Sequence, residues 1–196
     1  VEINASAHAD DDFSNNKSIA ELTDWNIYSP VWAPVSLEGQ WLKLQDKDPF
    51  DYAKVERKIP ASKELKVSFD LQAGQNDKGI LQIEFLDENG IACSRMELTD
   101  NGIFRMKGGS RFANMMKYEA GKVYHVEAVL STADRNIQVY VDGKRVGLRM
   151  FYAPVAAIER IVFRTGTPRT FPTVDTPADQ TYDLPNAGAQ DSLTEY

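Results

Sequence analysis

From residue 40 onward, apolar and polar residues alternate with a period of two. That spacing puts one face of a strand in a core and the other in water. The clearest case runs from Glu64 to Gln72, where Leu65, Val67, Phe69 and Leu71 alternate with Glu64, Lys66, Ser68, Asp70 and Gln72. Leu81, Ile83 and Phe85 alternate with Gln82 and Glu84. Asp87-Glu88-Asn89-Gly90 then reads as a turn, since Asn-Gly favours positive φ, and a strand resumes over residues 91–98. Asp100-Asn101-Gly102 makes a second tight turn into residues 103–106. A second group follows: Tyr124, Val126, Ala128 and Leu130 on one face, Ile137, Val139 and Val141 on the next strand, an Asp142-Gly143 hairpin into residues 144–148, and a last strand over 158–165. Ten or so strands joined by short turns, with no helical period longer than about ten residues and no fixed repeat, predict an all-β, two-sheet antiparallel β-sandwich.

The two ends read differently. Residues 1–20 are polar and aperiodic, with the acidic run Asp10-Asp11-Asp12, and read as a loop or poorly ordered leader, with a short helix expected around 18–22. Residues 25–34 (WNIYSPVWAP) carry Pro30 and Pro34, which confine any strand there to a sheet edge. The stretch after Gly166 holds Pro168, Pro172, Pro177 and Pro185, and its acids Asp175, Asp179, Asp183, Asp191 and Glu195 face one base, Arg169. Such a segment buries little surface alone. Its aromatics Phe171 and Tyr182 favour partial docking over a loose linker. The chain thus divides into a polar N-terminal leader (1–22), a β-sandwich domain (23–166) and an extended proline-rich acidic tail (167–196), docked or a linker.

Composition narrows the function classes. Hydrophobic residues make up 42% and charged residues 26% of 196, ordinary values for a globular chain with room for one full core. No apolar run approaches the roughly 18 residues of a membrane span. A formal net charge of −7 with no polybasic cluster argues against nucleic acid as partner. The lone cysteine, Cys93, excludes an intramolecular disulfide and a CxxC or Cys/His zinc site, and within a strand it reads as a small core or wall residue. No basic segment followed by an apolar stretch opens the chain, so no signal peptide is expected here. The first residue is Val1, which reads as a processed or excised fragment.

Three stretches carry a resemblance: WLKLQDKDPFDYAKVERKIP, KVSFDLQAG, and YHVEAVLSTADRNIQVYVDGKRV with IERIVFRTG downstream. Over residues 23–166 the pattern resembles the concanavalin A-like lectin/glucanase superfamily, including its laminin-G-like jelly-roll branches. The shared features are structural, a strand, a turn and "VYVDGKRV". What the resemblance implies is a jelly roll in an extracellular or periplasmic carbohydrate context: lectins, binding modules, glycoside hydrolases, polysaccharide lyases and their attached domains. The fold does not choose among these.

The catalytic signatures of those relatives match poorly. Hydrolases of the superfamily carry Glu-x-Asp-x-x-Glu on one strand. The nearest string here is Glu84, Asp87 and Glu88, whose spacing differs and whose last two members fall in a turn. Alginate-lyase-like members carry Arg-x-Glu-Leu-Arg and Gln-x-His. Here Thr99 follows Arg95-Met96-Glu97-Leu98, and Gln82-Ile83-Glu84 has Glu in place of His and precedes the Arg strand. The candidate site is instead a polar strand face. Alternation sets Arg95 and Glu97 opposite Met96 and Leu98, His125 and Glu127 opposite Tyr124 and Val126, Gln138 and Tyr140 opposite Val139, and Arg160 and Arg164 opposite Ile161 and Phe163. If these strands share a sheet, the face offers forked polar groups and a ring for sugar contact. The plainer reading is a solvated face laced with ion pairs. Trp25, Trp32 (between two prolines) and Trp41 are further candidate platforms, of which Trp41, at the start of an alternating strand, reads better as a core or edge residue.

The chemistry expected is therefore a non-catalytic carbohydrate-binding or accessory module of an exported polysaccharide-processing system, with an oligo- or polysaccharide as ligand and further domains as neighbours. The ligand-binding candidates are Arg95, Glu97, His125, Tyr140, Arg164 and Trp32. Two other readings stay open. One is a glycan-cleaving enzyme, a hydrolase or lyase, with its site on the concave sheet and Glu97 and His125 as candidate catalytic groups. The other is a structural or protein-interaction domain using the tail or a Met115-Met116 loop. No cofactor is expected; a structural calcium fits this kind of sandwich, and residues 10–16 supply oxygens, but without EF-hand spacing they read better as solvated charge.

Overall fold

Alternation becomes strand wherever the period is clean. The computed structural model describes residues 9–48, 51–166 and 194–196. Its strands are β1 (Trp25–Tyr28), β2 (Val35–Glu38), β3 (Trp41–Asp46), β4 (Lys54–Ser62), β5 (Glu64–Gln72), β6 (Leu81–Leu86), β7 (Ala92–Leu98), β8 (Ile103–Gly108), β9 (Arg111–Lys117), β10 (Val123–Ser131), β11 (Asn136–Val141), β12 (Lys144–Met150), β13 (Ile158–Thr165) and β14 (Thr194–Glu195). They form a seven-stranded sheet in the order β1-β4-β13-β6-β7-β8-β9, a four-stranded sheet β12-β11-β10-β5, and a small sheet β14-β3-β2. All pairings are antiparallel. The fold is the antiparallel β-sandwich that the alternation predicts. Pro30 and Pro34 fall in the turn between β1 and β2, outside both strands, and β1 is an edge strand of its sheet.

The core lies between the two large sheets. Ile83, Phe85, Met96 and Met106 from one sheet and Val126, Ala128, Leu130, Ile137 and Val139 from the other are fully buried. Each large side chain of this set contributes about 1.5–3 kcal/mol through removal of apolar surface from water. Two glycines shape the sandwich. At the β11–β12 hairpin, Asp142 and Gly143 have φ of 50° and 78°, the left-handed pair that a two-residue turn demands. Gly147 on β12 lies against β9: a Cβ there would sit 2.6 Å from the Met115 sulfur. A side chain at that position must displace the Met115 and Met106 side chains that pack there.

Met115 and Met116 lie in strand β9, not in a loop. A bulge between Phe104 and Arg105 shifts the β8–β9 register and removes the simple period from RFANMMK. The leader also has structure from residue 9. The Asp12 side chain accepts from the Ser14 amide at 2.9 Å and caps a 3-10 turn, Phe13–Asn15. Phe13 packs on Trp25 with ring centroids 5.8 Å apart, and Asp11 pairs with Arg57 at 2.7 Å. A second 3-10 turn, Ile19–Glu21, falls where a short helix is expected. At the other end, Thr194 and Glu195 pair with Asp46 and Gln45, and the Tyr196 backbone exchanges two hydrogen bonds with Leu44. The tail residues Pro168, Phe171, Pro172, Pro177, Tyr182 and Pro185 lie outside the described residues.

Candidate functional site

One cross-strand row spans the seven-stranded sheet. Register aligns Tyr28, Lys54, Arg164, Gln82, Glu97 and Arg105 on β1, β4, β13, β6, β7 and β8. All of them lie on the face opposite Ile83, Met96 and Phe163, hence outside the sandwich. A second row, two residues along, holds Asn26, Glu56, Val162, Glu84 and Arg95.

Each carboxylate on this face fixes a cation. Glu97, only 3% exposed, accepts from Arg105 Nε at 2.8 Å and Nη2 at 2.7 Å through one oxygen, and from Gln82 Nε2 at 2.6 Å through the other. Glu84 Oε1 accepts from Arg95 Nε at 2.7 Å and Nη2 at 2.6 Å. Glu56 takes Lys54 at 2.9 Å and Arg160 at 3.2 Å. Two N–H groups of Arg95 and of Arg105 are thereby engaged, and a guanidinium has five. Held in this way, these cations present their remaining donors in fixed directions. Gln82 is fully buried, and among the described residues its Oε1 has no hydrogen-bond partner. An orphaned acceptor beneath a polar face calls for a functional account.

Aromatic rings frame the face. The Tyr52 ring lies 3.9 Å from the Arg164 guanidinium and 5.1 Å from the Tyr28 ring. Phe112 stands 4.3 Å from the Arg105 guanidinium. Tyr152 lies 4.4 Å from Lys107 Nζ and 5.8 Å from Arg95. Burial pushes the Tyr152 hydroxyl up to about 12, against the pull of Arg95, so it stays protonated. The Tyr152 amide also donates to the Cys93 carbonyl at 3.0 Å. Cys93 is fully buried behind it, and burial pushes its thiol up to about 12, which makes it a wall residue and no nucleophile. Cations outnumber carboxylates on this face (Lys54, Arg95, Arg105, Lys107, Arg160 and Arg164 against Glu56, Glu84 and Glu97) in a chain of net charge −7.

The single polar face anticipated from alternation is split. Arg95, Glu97 and Arg164 share the seven-stranded sheet, but His125 on β10 and Tyr140 on β11 belong to the four-stranded one. The chain changes sheets between β9 and β10, so alternation gives each strand's sidedness without saying which sheet it joins. His125 Nδ1 lies 2.7 Å from Asp70 Oδ1, with 55% and 58% of the two side chains exposed. Tyr140 donates to Gln138 at 3.1 Å. Trp32 stands on the β1–β2 turn, 64% exposed, its carbonyl accepting from the Lys47 amide at 3.0 Å. Sequence reasoning missed Gln82, Arg105, Tyr52, Phe112 and Tyr152 as members of the face. The tight turn at residues 100–102 was the available signal for Arg105, since it sets β8 opposite β7. Asp87, from the hydrolase-like string, accepts from the Asn89 and Ile91 amides at 2.9 and 2.8 Å and so builds its turn. Among the described residues, no three His, Cys, Asp or Glu side chains converge to hold a metal ion.

Sheets in this arrangement define a jelly-roll module of the concanavalin A-like class. The chain belongs to the family described as "Sialidase-like, CBM domain", matched over residues 25–180. A solved structure titled "Sialidase" is 89% identical and superposes with a TM-score of 0.86, covering 100% of this chain and 18% of that one. The chain therefore spans about a fifth of that sialidase's length. The GH16 endo-β-1,3(4)-glucanase SCLam superposes with a TM-score of 0.60 at 11% identity, over 94% of this chain and 86% of its own. The carbohydrate-binding module CBM66 from Bacillus subtilis gives 0.51 at 10% identity, over 72% and 86%. These last two share the fold. No curated protein matches the chain. The family and the sialidase match make it a carbohydrate-binding accessory module, a domain type found within a larger polypeptide.

Proposed function

We propose that this module binds a glycan through the outer face of the seven-stranded sheet, and that the sugar recognised carries a carboxylate. The observation that carries the reading is the pair of guanidinium groups of Arg95 and Arg105, each locked by a carboxylate and each flanked by an aromatic ring. An anionic sugar needs a cation in a fixed direction, a ring for its C–H face and polar partners for its hydroxyls. The row supplies all three, and Gln82, buried beneath it, donates to Glu97 and so helps to hold the Arg105 clamp. The sialidase-like family points to sialylated chains as the first glycans to offer. Glu97 acts here as a positioning residue, because both its oxygens are engaged by Arg105 and Gln82. Arg164 and Tyr52 extend the face toward the β1–β2 turn, where Trp32 offers a platform for a further sugar residue. The setting for such a module is outside the cytoplasm, where polymeric glycans are met.

Calorimetric titration with sialyllactose and lactose tests the reading. Binding of the first and at least about tenfold weaker binding of the second is the expected pair, with Arg105→Ala removing the difference. Equal affinity for both sugars would refute carboxylate recognition. Release of product on incubation would move the module to a catalytic class.

A further inference from the structure

One lysine on the outer face stands outside the pairing that fixes its neighbours. The register that sets Met96 across from Met106, carried one residue on, sets Arg95 across from Lys107. On its other side Lys107 lies across from Phe112. Arg105 precedes it by two residues on β8, so it points to the same side about 7 Å along the strand. Glu84 holds Arg95, and Glu97 holds Arg105. Lys107 has no such partner. Among the described residues its Nζ makes no ion pair, and it lies over the Tyr152 ring, 4.4 Å from the centroid.

This corner of the sheet works against itself. Like charges directly opposed on neighbouring strands repel. Arg95 and Lys107 are opposed in that way and share one ring, for Tyr152 also lies 5.8 Å from the Arg95 guanidinium. The ring attracts each cation weakly and brings no countercharge. Three cations here meet two carboxylates, and one positive charge is left over. An anion placed among them would remove the repulsion. Lysine suits the direct contact: its ammonium has three donors on a flexible stem, whereas Arg95 and Arg105 have each committed two of five N–H groups.

We infer that Lys107 is the specificity-determining residue of this face, its ammonium forming the direct ion pair with the carboxylate of the sugar. The inference rests on the glycan reading given above. Arg95 and Arg105, already neutralised by Glu84 and Glu97, fix the direction from which the carboxylate is met. Phe112 and Tyr152 hold the body of the sugar whether or not it is charged. Preference for an anion and affinity for the sugar ring are therefore separable, and the residue that gives the preference weakens the unliganded fold.

Titrations of the wild type, Lys107→Gln and Lys107→Arg with sialyllactose and with lactose at low ionic strength test this, alongside urea unfolding of each unliganded protein. Lys107→Gln should weaken sialyllactose about tenfold or more, leave lactose within about twofold, and unfold at the wild-type urea midpoint or above it. Lys107→Arg, which keeps the charge, should retain the preference. Added salt should narrow the difference between the sugars in the wild type and change little in Lys107→Gln. If the wild type and Lys107→Gln prefer sialyllactose equally, the inference is overturned and the carboxylate reading stands. A lowered midpoint with both sugars lost makes Lys107 a structural residue and overturns the inference too. Equal affinities for the two sugars in the wild type would sink the reading and this inference with it.

Discussion

The outer faces of the two large sheets use the same residue types and arrive at different chemistry. On the four-stranded sheet, His125 meets Asp70 and Lys66 meets Glu127 at 2.9 Å, with more than half of His125, Asp70 and Lys66 exposed. Pairs of that kind are worth about 0–1 kcal/mol and are screened by salt. On the seven-stranded sheet, Glu97 and Gln82 are buried and bonded to each other, Arg105 is held by Glu97 through two N–H groups, and aromatic rings stand over the cations. Polar strand residues make a site where burial fixes their direction, and a solvated face where it does not.

The largest expected effect comes from removing the central clamp. Glu97→Ala leaves the Arg105 guanidinium and the Gln82 amide unpaired, and should lower unfolding stability by about 3 kcal/mol in a denaturant titration. A loss below about 0.5 kcal/mol would put Glu97 in the same class as the exposed pairs.

A similar magnitude with the opposite logic applies to Asp46. This fully buried carboxyl is held by Thr165 Oγ1 at 2.6 Å and the Asp48 amide at 3.0 Å, and burial raises it from 3.8 to about 6. Its folded value lies above its unfolded one, so the native state binds the proton more tightly. Stability should therefore fall as pH rises from about 4 through 6 and level off above, by up to about 3 kcal/mol. Asp46→Asn should flatten that part of the profile, and a profile unchanged by this substitution would refute the assignment.

Third in size is Arg105→Ala, which should weaken binding of a sialylated glycan about tenfold or more at a modest cost in stability. Trp32→Ala should cost a few-fold on an oligosaccharide and less on a monosaccharide, with stability unchanged because its turn is held through the backbone. The smallest effects belong to the other face. Tyr140→Ala and His125→Ala should alter glycan affinity less than about twofold and stability by about 0.5 kcal/mol or less. If either abolishes binding, the contrast between the faces fails.

Much of this architecture was legible in the residues. The alternation in ELKVSFDLQ gives β5 to the residue, and IERIVFRT does the same for β13. The reading fails where period fails: β4 carries Pro60 and an irregular register with β13, and β9 hides behind a bulge. The candidate site was half legible. Sidedness along a strand is local, so Arg95 and Glu97 could be set on one face. Membership in a sheet is a long-range fact, and alternation holds nothing that separates Tyr140 from Arg164 in this respect. Arg164 lies beside Gln82 because β13 returns to pair with β6, strands more than seventy residues apart in sequence.

Cys93 gives the molecule a clock. It is the chain's single thiol, wholly enclosed behind Tyr152, and burial holds it protonated far above neutral pH. A thiol reagent can reach it only when the structure around Tyr152 and β7 opens, so the rate of labelling counts openings at the edge of the proposed site. Ligand that slows the count must be bound where opening would release it, which turns an inert wall residue into a readout of where the sugar sits.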